Sequence, residues 1–292
     1  MTSPATPAST VIGNRAFEWG SRTFVMGIVN VTPDSFSGDG LLAGKEFQAA
    51  GLAFVESAVL QARRMVEDGA DILDVGGEST RPGHIPVDAG SEAARVVPVI
   101  AAIHAALPAV PISVDTTKPE VAEAALDAGA VLLNDVWGVA PDDAMARLAA
   151  ARNVPLVLMH NRVEARYEDL MAELLADLRG ALDRAMAAGV PEQNLIVDPG
   201  FGFGKTPEHN LEVLRRLSML ASLGRPILLG TSRKSTIGRV LGGVPPEERL
   251  EGTLATTALG IAAGVDMVRV HDVRANVMVC RMCDAVVRGG RE

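Results

Sequence analysis

PISVDTTKPEVAEAALDAGAVLLND, residues 111–135, holds one complete repeat of the chain. Its first part, 111–115, is an apolar run without alternation, as a strand covered on both faces requires. Residues 119–128 (PEVAEAALDA) follow with Ala, Leu and Glu at helical spacing. Gly129 then stands where a helix ends, just before a second apolar run at 131–135. Strand, helix and strand in this order make the two strands parallel.

The same pattern recurs on both sides. Strand candidates are 24–30 (FVMGIVN), 71–75 (DILDV), 111–115, 131–135, 155–160 (PLVLMH), 194–198 (NLIVD), 226–230 (PILLG) and 265–270 (VDMVRV). Longer helical segments separate them, 166–188 among them, and Gly69, Gly189 and Gly264 repeat the stop seen at Gly129. Eight such units predict an α/β fold, a closed (β/α)8 TIM barrel, with an open doubly wound sheet as the alternative. Residues 11–23, with turn pairs at Gly13-Asn14 and Gly20-Ser21, predict a short N-terminal β-hairpin. Residues 1–10 read as a disordered tail, and 11–292, uninterrupted by any linker, as a single domain.

The composition narrows the functions. The 292 residues are 48 % apolar and 22 % charged, with a formal net charge of −9. A nucleic-acid partner would call for a basic excess, so none is expected. An anion must be held by a few placed cations rather than by the overall field. No apolar run reaches the length of a membrane span, and MTSPATPAST lacks the basic start and apolar stretch of a signal peptide. Two cysteines make no disulfide framework, and a cytoplasmic location is expected. Cys280 and Cys283 form a C-x-x-C deep in the last helical stretch, where buried structural cysteines are the simpler reading.

In a barrel of this kind the active site gathers where strands end. Here the ends carry Asn30, the GGESTRPG segment, Asp115, Asn134-Asp135, His160, Asp198, the TSRKS segment at 231–235, and Arg269 and His271 with Asp272. A single polar terminus is usually a helix cap, and Asp135 and Asp272 suit that role. Polar ends all facing one mouth suggest a binding site instead. Asp115, Asn134 and Asp198 suit a flat, nitrogen-rich heterocycle with several N–H donors, since a carboxylate accepts paired hydrogen bonds from such an edge. Lys234, Arg269, His271 and Arg81 suit a phosphate-like anion.

GFGFGKT at 200–206 looks like a phosphate loop but lacks its first glycine, since Pro199 stands at that position. Lys205 is therefore expected to be a surface or loop residue. His84, His104 and His209 read as solvated or capping residues, whereas His160 lies at a strand end near the ring. Met145, Met159, Met171, Met186 and Met267 read as core filler.

At these residues the chain resembles the dihydropteroate synthases. The matching segments are GIVNVTPDSFSGDG (27–40), DVGGESTRPG (74–83), SVDTTKP (113–119), LLND (132–135), LMH (158–160), DPGFGFGK (198–205), GTSRKS (230–235) and VRVHD (268–272). The likeness spans about residues 11–287. Residues 41–50 and NRVEARYED after His160 carry no motif of that family.

The resemblance implies transfer of a pterin from its diphosphate ester to 4-aminobenzoate, with Asp115, Asp198, Lys234, Arg269 and His271 as the catalytic set. It implies that Asp115, Asn134, Asp198 and Lys234 hold the pterin, with Arg269 on its face and Met159 among the substrate-binding residues. Arg269 and His271, helped by Thr80 and Arg81, would hold the diphosphate, and Asn30 would bind Mg2+ with it. Phe203, Lys234 and Ser235 would line the acceptor pocket, with Phe36, Thr80 and Pro82 closing over it. A homodimer and sensitivity to sulfonamides are implied as well. Two rivals remain on the sequence. One is a folate-to-corrinoid methyltransferase, which has no use for the TSRKS and RVH cations. The other is a non-catalytic pterin-binding protein, which has no use for the first two loops.

Overall fold

The computed structural model describes residues 9–31, 47–78, 87–138 and 143–289, with backbone alone at 47–52. A two-stranded hairpin, β1 (Thr10–Ile12) and β2 (Arg15–Phe17), precedes eight parallel strands. These are β3 (Phe24–Asn30), β4 (Ile72–Gly76), β5 (Ile112–Asp115), β6 (Leu132–Asp135), β7 (Leu156–Met159), β8 (Leu195–Asp198), β9 (Leu228–Leu229) and β10 (Met267–Val270). The pairing order is β8-β7-β6-β5-β4-β3-β10-β9. Val197 closes the ring by donating its N–H to the Pro226 carbonyl at 3.0 Å, with a parallel bridge to Ile227. Closure excludes the open doubly wound sheet.

Each strand found lies within the predicted range or passes it by one residue. β9 is the shortest, because Pro226 has no N–H to give and Ile227 is engaged in the closing bridge. The helices are α1 (Phe47–Glu67), α2 (Ala89–Ala106), α3 (Pro119–Asp127), α4 (Ala144–Arg152), α5 (Leu170–Ala187), α6 (Pro207–Arg215), α7 (Ser235–Val240), α8 (Leu250–Ala262) and α9 (Val273–Val287). α5 begins four residues later than its periodicity suggested. Asp169 caps it, accepting the Ala172 N–H at 3.1 Å, while Glu173 accepts the N–H groups of Glu168 and Asp169. The four predicted glycine stops all have φ near +100°, which any side chain would resist.

The hairpin plugs the bottom of the barrel. Ile12, Phe17, Trp19 and Phe24 are buried in one cluster with Met26, Ile72, Leu132, Val157, Ile196, Leu228 and Met267. Thr10, expected in the tail, is fully buried as the first residue of β1. Its hydroxyl donates to the Gln193 carbonyl and accepts the Trp19 indole N–H at 2.8 Å. Residues 1–8 of that tail lie outside the described residues.

Candidate active site

Side chains on a strand alternate between the two faces, so residues two apart share one. The apolar lumen layer runs through Met26, Ile72, Leu132, Val157, Ile196, Leu228 and Met267. One step of two toward the C-terminal mouth, the same faces carry Ile28, Asp74, Asn134, Met159, Asp198, Gly230 and Arg269. Asn30 and His271 follow one step later, and on β5 the inward pair is Ser113 and Asp115. An apolar floor thus passes into a polar layer within one side-chain repeat.

Arg269 organises that layer. Its Nε donates to Asp74 Oδ2 at 2.5 Å and its Nη2 to Asp115 Oδ2 at 2.7 Å. Asn134 Nδ2 donates to the same Asp74 oxygen at 3.1 Å. Asp74 is wholly buried. Among the described residues, the second oxygens of Asp74 and Asp115 and the Ser113 hydroxyl are buried without a hydrogen-bond partner. Buried acceptors of this kind cost free energy unless something donates to them. Here they lie together beside a guanidinium, which marks a place for a ligand rich in N–H groups.

On the other side of the mouth, Asp198 Oδ1 accepts the Gly200 N–H at 2.6 Å. Lys234 immediately precedes α7 and donates to the Phe201 carbonyl, with Nζ 4.4 Å from the centre of the Phe203 ring. A Cβ on Gly202 would come within 2.9 Å of the Lys234 stem, so this close approach needs a glycine. Ser232 Oγ and His271 Nδ1 are 2.9 Å apart, and the His271 N–H also reaches Ser232 Oγ. Ser235 is exposed at the first position of α7.

Burial sets the charges. It raises the Asp115 carboxyl to about 7, against the pull of Arg269. It raises Asp198 as well, opposed chiefly by Lys234. It lowers Lys234 to about 8, opposed by Asp198. Burial works against the Arg269 charge too, but Asp74 and Asp115 outweigh it and raise its pKa. The mouth thus holds buried carboxylates and cations whose proton affinities have moved toward neutrality, a pattern typical of functional sites.

The structure brings together Asp115, Asn134, Asp198, Lys234, Arg269, Phe203 and Met159, with His271 and Ser235 on the loop side and Asn30 at the end of β3. Phe36, Thr80, Arg81 and Pro82 lie outside the described residues. His160 takes the outward face of β7, and its Nε2 meets Asp177 Oδ2 of α5 at 3.2 Å. Asp135 also faces outward, accepting the Trp137 N–H at 3.0 Å. Asp272 forms a two-point pair with Arg233 at 2.6 and 2.9 Å. His209 is a capping residue, since its Nδ1 accepts the Thr206 N–H. Cys280 is buried, and burial pushes its thiol up to about 12.

Two residues need a fuller account. Lys205 lies in its loop, as expected, but is turned inward: burial lowers it to about 7, and its ammonium is enclosed by the loop it belongs to. Asp74 carries no role in the sequence reading, yet it joins Arg269 to Asn134. The available signal was an aspartate two residues beyond Ile72 in an otherwise apolar strand.

Asp135 supplies a pH test separate from ligand binding. Burial raises its carboxyl to about 7. A folded-state value above the unfolded one means the folded protein binds more protons, so this residue's contribution to stability falls as pH rises from about 4 to about 7. Asp135→Asn keeps the acceptor for Trp137 and removes the charge. It should raise stability by about 1–3 kcal/mol at pH 8 and change it little below pH 4, read by urea unfolding at both pH values. An equal effect at the two pH values would mean that ionisation of Asp135 is not the cause.

A family model described as pterin binding enzyme matches residues 26–271. The dihydropteroate synthase of Clostridium beijerinckii is 49 % identical over 278 residues, covering 95 % of this chain and 99 % of that one. The chain belongs to the dihydropteroate synthase family. Among solved structures, the dihydropteroate synthase of Clostridium difficile, determined in the presence of pteroic acid, has a TM-score of 0.86 and 49 % identity. It covers 93 % of this chain and 99 % of its own. That of Xanthomonas albilineans with 4-aminobenzoic acid has a TM-score of 0.87 and 42 % identity, covering 96 % and 98 %. The dihydropteroate synthase likeness therefore spans barrel, plug and mouth together. Among the described residues no helix is long and apolar enough to cross a membrane.

Proposed function

We propose that this chain joins 6-hydroxymethyl-7,8-dihydropterin diphosphate to 4-aminobenzoate, forming 7,8-dihydropteroate and releasing diphosphate. The observation that carries the reading is the polar layer itself, where oxygens of Asp74 and Asp115 beside Arg269 have no hydrogen-bond partner among the described residues and Asp198 is paired in charge with Lys234. Carboxylates so placed accept from the amino and ring N–H groups of a pterin. The Arg269 guanidinium is flat and charged, suited to lie against the heterocycle.

The reaction needs no protein nucleophile. The bond between the methylene carbon and the ester oxygen breaks, and its electron pair leaves with diphosphate. The pterin ring spreads the positive charge left behind, and buried carboxylates stabilise it in a site of low polarity. The amine nitrogen of 4-aminobenzoate then bonds to that carbon and loses a proton to water. Lys234 and Phe203 are proposed to flank this acceptor, with Ser235 nearby. Sulfonamides, which share its aryl-amine shape, are proposed to compete there.

Mg2+ is proposed to accompany the diphosphate. Among the described residues no group of three or more His, Cys, Asp or Glu side chains is placed to hold a metal. Asn30, at the end of β3, offers one amide oxygen. That donor set fits an ion bound mainly by substrate phosphate and water, as Mg2+ commonly is. When bound, the ion would neutralise charge on the leaving group.

A homodimer is proposed from the outer face of α9. Met278, Met282 and Val286, spaced four residues apart, are all exposed, and so is Leu259 on the adjoining α8. A contiguous apolar stripe is unusual on a monomer, and a dimer mass by light scattering would support the proposal.

The deciding experiment is diphosphate release with each component omitted in turn. Release that requires both organic substrates, with dihydropteroate formed, supports the reading. Tight pterin binding without release would mark a non-catalytic binder instead. His271→Ala is expected to weaken diphosphate binding about tenfold while changing pterin affinity by less than about twofold, because one charge-assisted contact is lost on the anion side alone. Equal losses by calorimetry would make His271 a structural residue.

A further inference from the structure

We propose that Lys205, locked onto His160, is a positioning residue that holds loop 199–205 so that Phe203 lies against Lys234 on the acceptor side of the site. The inference rests on the synthase reading and adds a residue to it.

Lys205 Nζ reaches His160 Nδ1 at 2.8 Å, the Gly200 carbonyl at 3.1 Å and the Phe203 carbonyl at 3.1 Å. The His160 carbonyl lies farther off at 3.5 Å, so the ammonium's three N–H bonds have acceptors on every side. With Lys205 protonated, His160 Nδ1 is the acceptor nitrogen, which leaves Nε2–H to donate to Asp177 at 3.2 Å. The loop sits so tightly on β7 that a Cβ at Gly200 would lie 1.8 Å from the His160 carbonyl oxygen. Arg162 reinforces the far side: it pairs with Glu173 at 2.6 Å and Asp177 at 2.8 Å, and lies 4.7 Å from the Tyr167 ring centre. The Tyr167 hydroxyl donates to the Gly204 carbonyl at 2.7 Å.

The inner side of the same loop is the active site. Gly200 donates to Asp198, Phe201 accepts from Lys234, and the Phe203 ring meets Lys234 Nζ. One loop is therefore held between two ammonium groups, Lys205 behind it and Lys234 in front. Loss of the rear lock should release Phe203 while leaving the pterin carboxylates, which sit on strands, in place.

The test compares wild type with Lys205→Met, which keeps length and removes the donors, and His160→Asn, which keeps an acceptor at the Nδ1 position. Lys205→Met is expected to raise the KM for 4-aminobenzoate about tenfold or more, with pterin diphosphate affinity by calorimetry changed less than about threefold. Amide hydrogen exchange across 199–205 should quicken in the same variant without substrates. His160→Asn should stay within about threefold of wild type in KM. Should Lys205→Met fail to fold, His160→Leu takes its place and is expected to raise KM and loop exchange in the same sense. Wild-type KM and exchange in the variant that folds would overturn the proposal. So would parallel loss of acceptor and pterin affinity, which indicates general loosening. If wild type gave no turnover, the synthase reading would fail, and the exchange measurement would still decide whether Lys205 locks the loop.

Discussion

Asp198→Asn is expected to weaken binding of the pterin substrate about a hundredfold, with the fold intact. Asp198 Oδ1 is committed to the Gly200 N–H at 2.6 Å. An asparagine must keep its carbonyl oxygen there, since its amide nitrogen cannot accept. The NH2 group is thereby forced into the place of Oδ2, where it opposes both the Lys234 ammonium and the N–H edge of a pterin. Losing a charge-assisted contact and gaining a donor clash amounts to roughly 3 kcal/mol, or about a hundredfold in affinity. Stability should fall only modestly, because the change is nearly isosteric and removes a carboxylate that burial already disfavours, which offsets part of the donor clash with Lys234. Calorimetric titration with the pterin substrate reads the first effect, and circular dichroism with thermal melting the second. Unchanged affinity would remove Asp198 from the pterin site.

Arg269→Met should be the most destabilising single change in the mouth, about 3–5 kcal/mol at pH 8. The guanidinium bridges Asp74 and Asp115 at 2.5 and 2.7 Å, and Asp74 is fully buried. Without it two carboxylates face one another in a poorly solvated layer. Burial already holds Asp115 near 7 with Arg269 present, and losing Arg269 must raise it further. A carboxyl with a raised folded-state value loses stability as pH climbs from its unfolded value to its folded one, and recovers it on protonation. The deficit should therefore shrink steadily as pH falls from 8 to 5. Arg269→Lys should rescue little, since an ammonium cannot span both carboxylates with a planar fork. Urea unfolding of both variants at the two pH values checks this, and a deficit independent of pH would count against carboxylate repulsion.

Both predictions concern residues visible in the sequence, but visible to different degrees. Asp198 and Arg269 stand at the ends of apolar runs, where a polar residue is conspicuous. Asp74 lies just as deep but is inconspicuous in the sequence, because it sits inside a run and its partner is 195 positions away. Asp135, His160 and Asp272 look like the proposed site residues in the sequence because all lie at strand ends. Counting in twos from Ile72, Leu132 or Met267 separates them: Asp74, Asn134 and Arg269 share the lumen face, and Asp135, Val270 and Asp272 do not. His160 likewise falls out of step with Val157 and Met159.

Lys205 was hidden for another reason. Its sequence neighbours are glycine, phenylalanine and threonine, which say nothing about burial. What encloses it is the carbonyls of its own loop and a histidine ring 45 positions earlier. The stretch after His160 was equally silent, and it proves to carry Arg162 and Tyr167, which brace that loop from outside.

By itself the sequence determined the eightfold strand-and-helix order, the glycine stops, the hairpin and the chemical character of the mouth. Those follow from local rules: periodicity, backbone freedom and the rarity of polar residues at the ends of buried strands. Tertiary structure alone decided which polar ends face inward, that the hairpin plugs the barrel floor, that Arg269 spans two carboxylates, and that the Lys205 ammonium is enclosed by its own loop. These depend on the sense of each strand's alternation and on distances between residues far apart in the chain, and only closure of the ring through Val197 sets those distances.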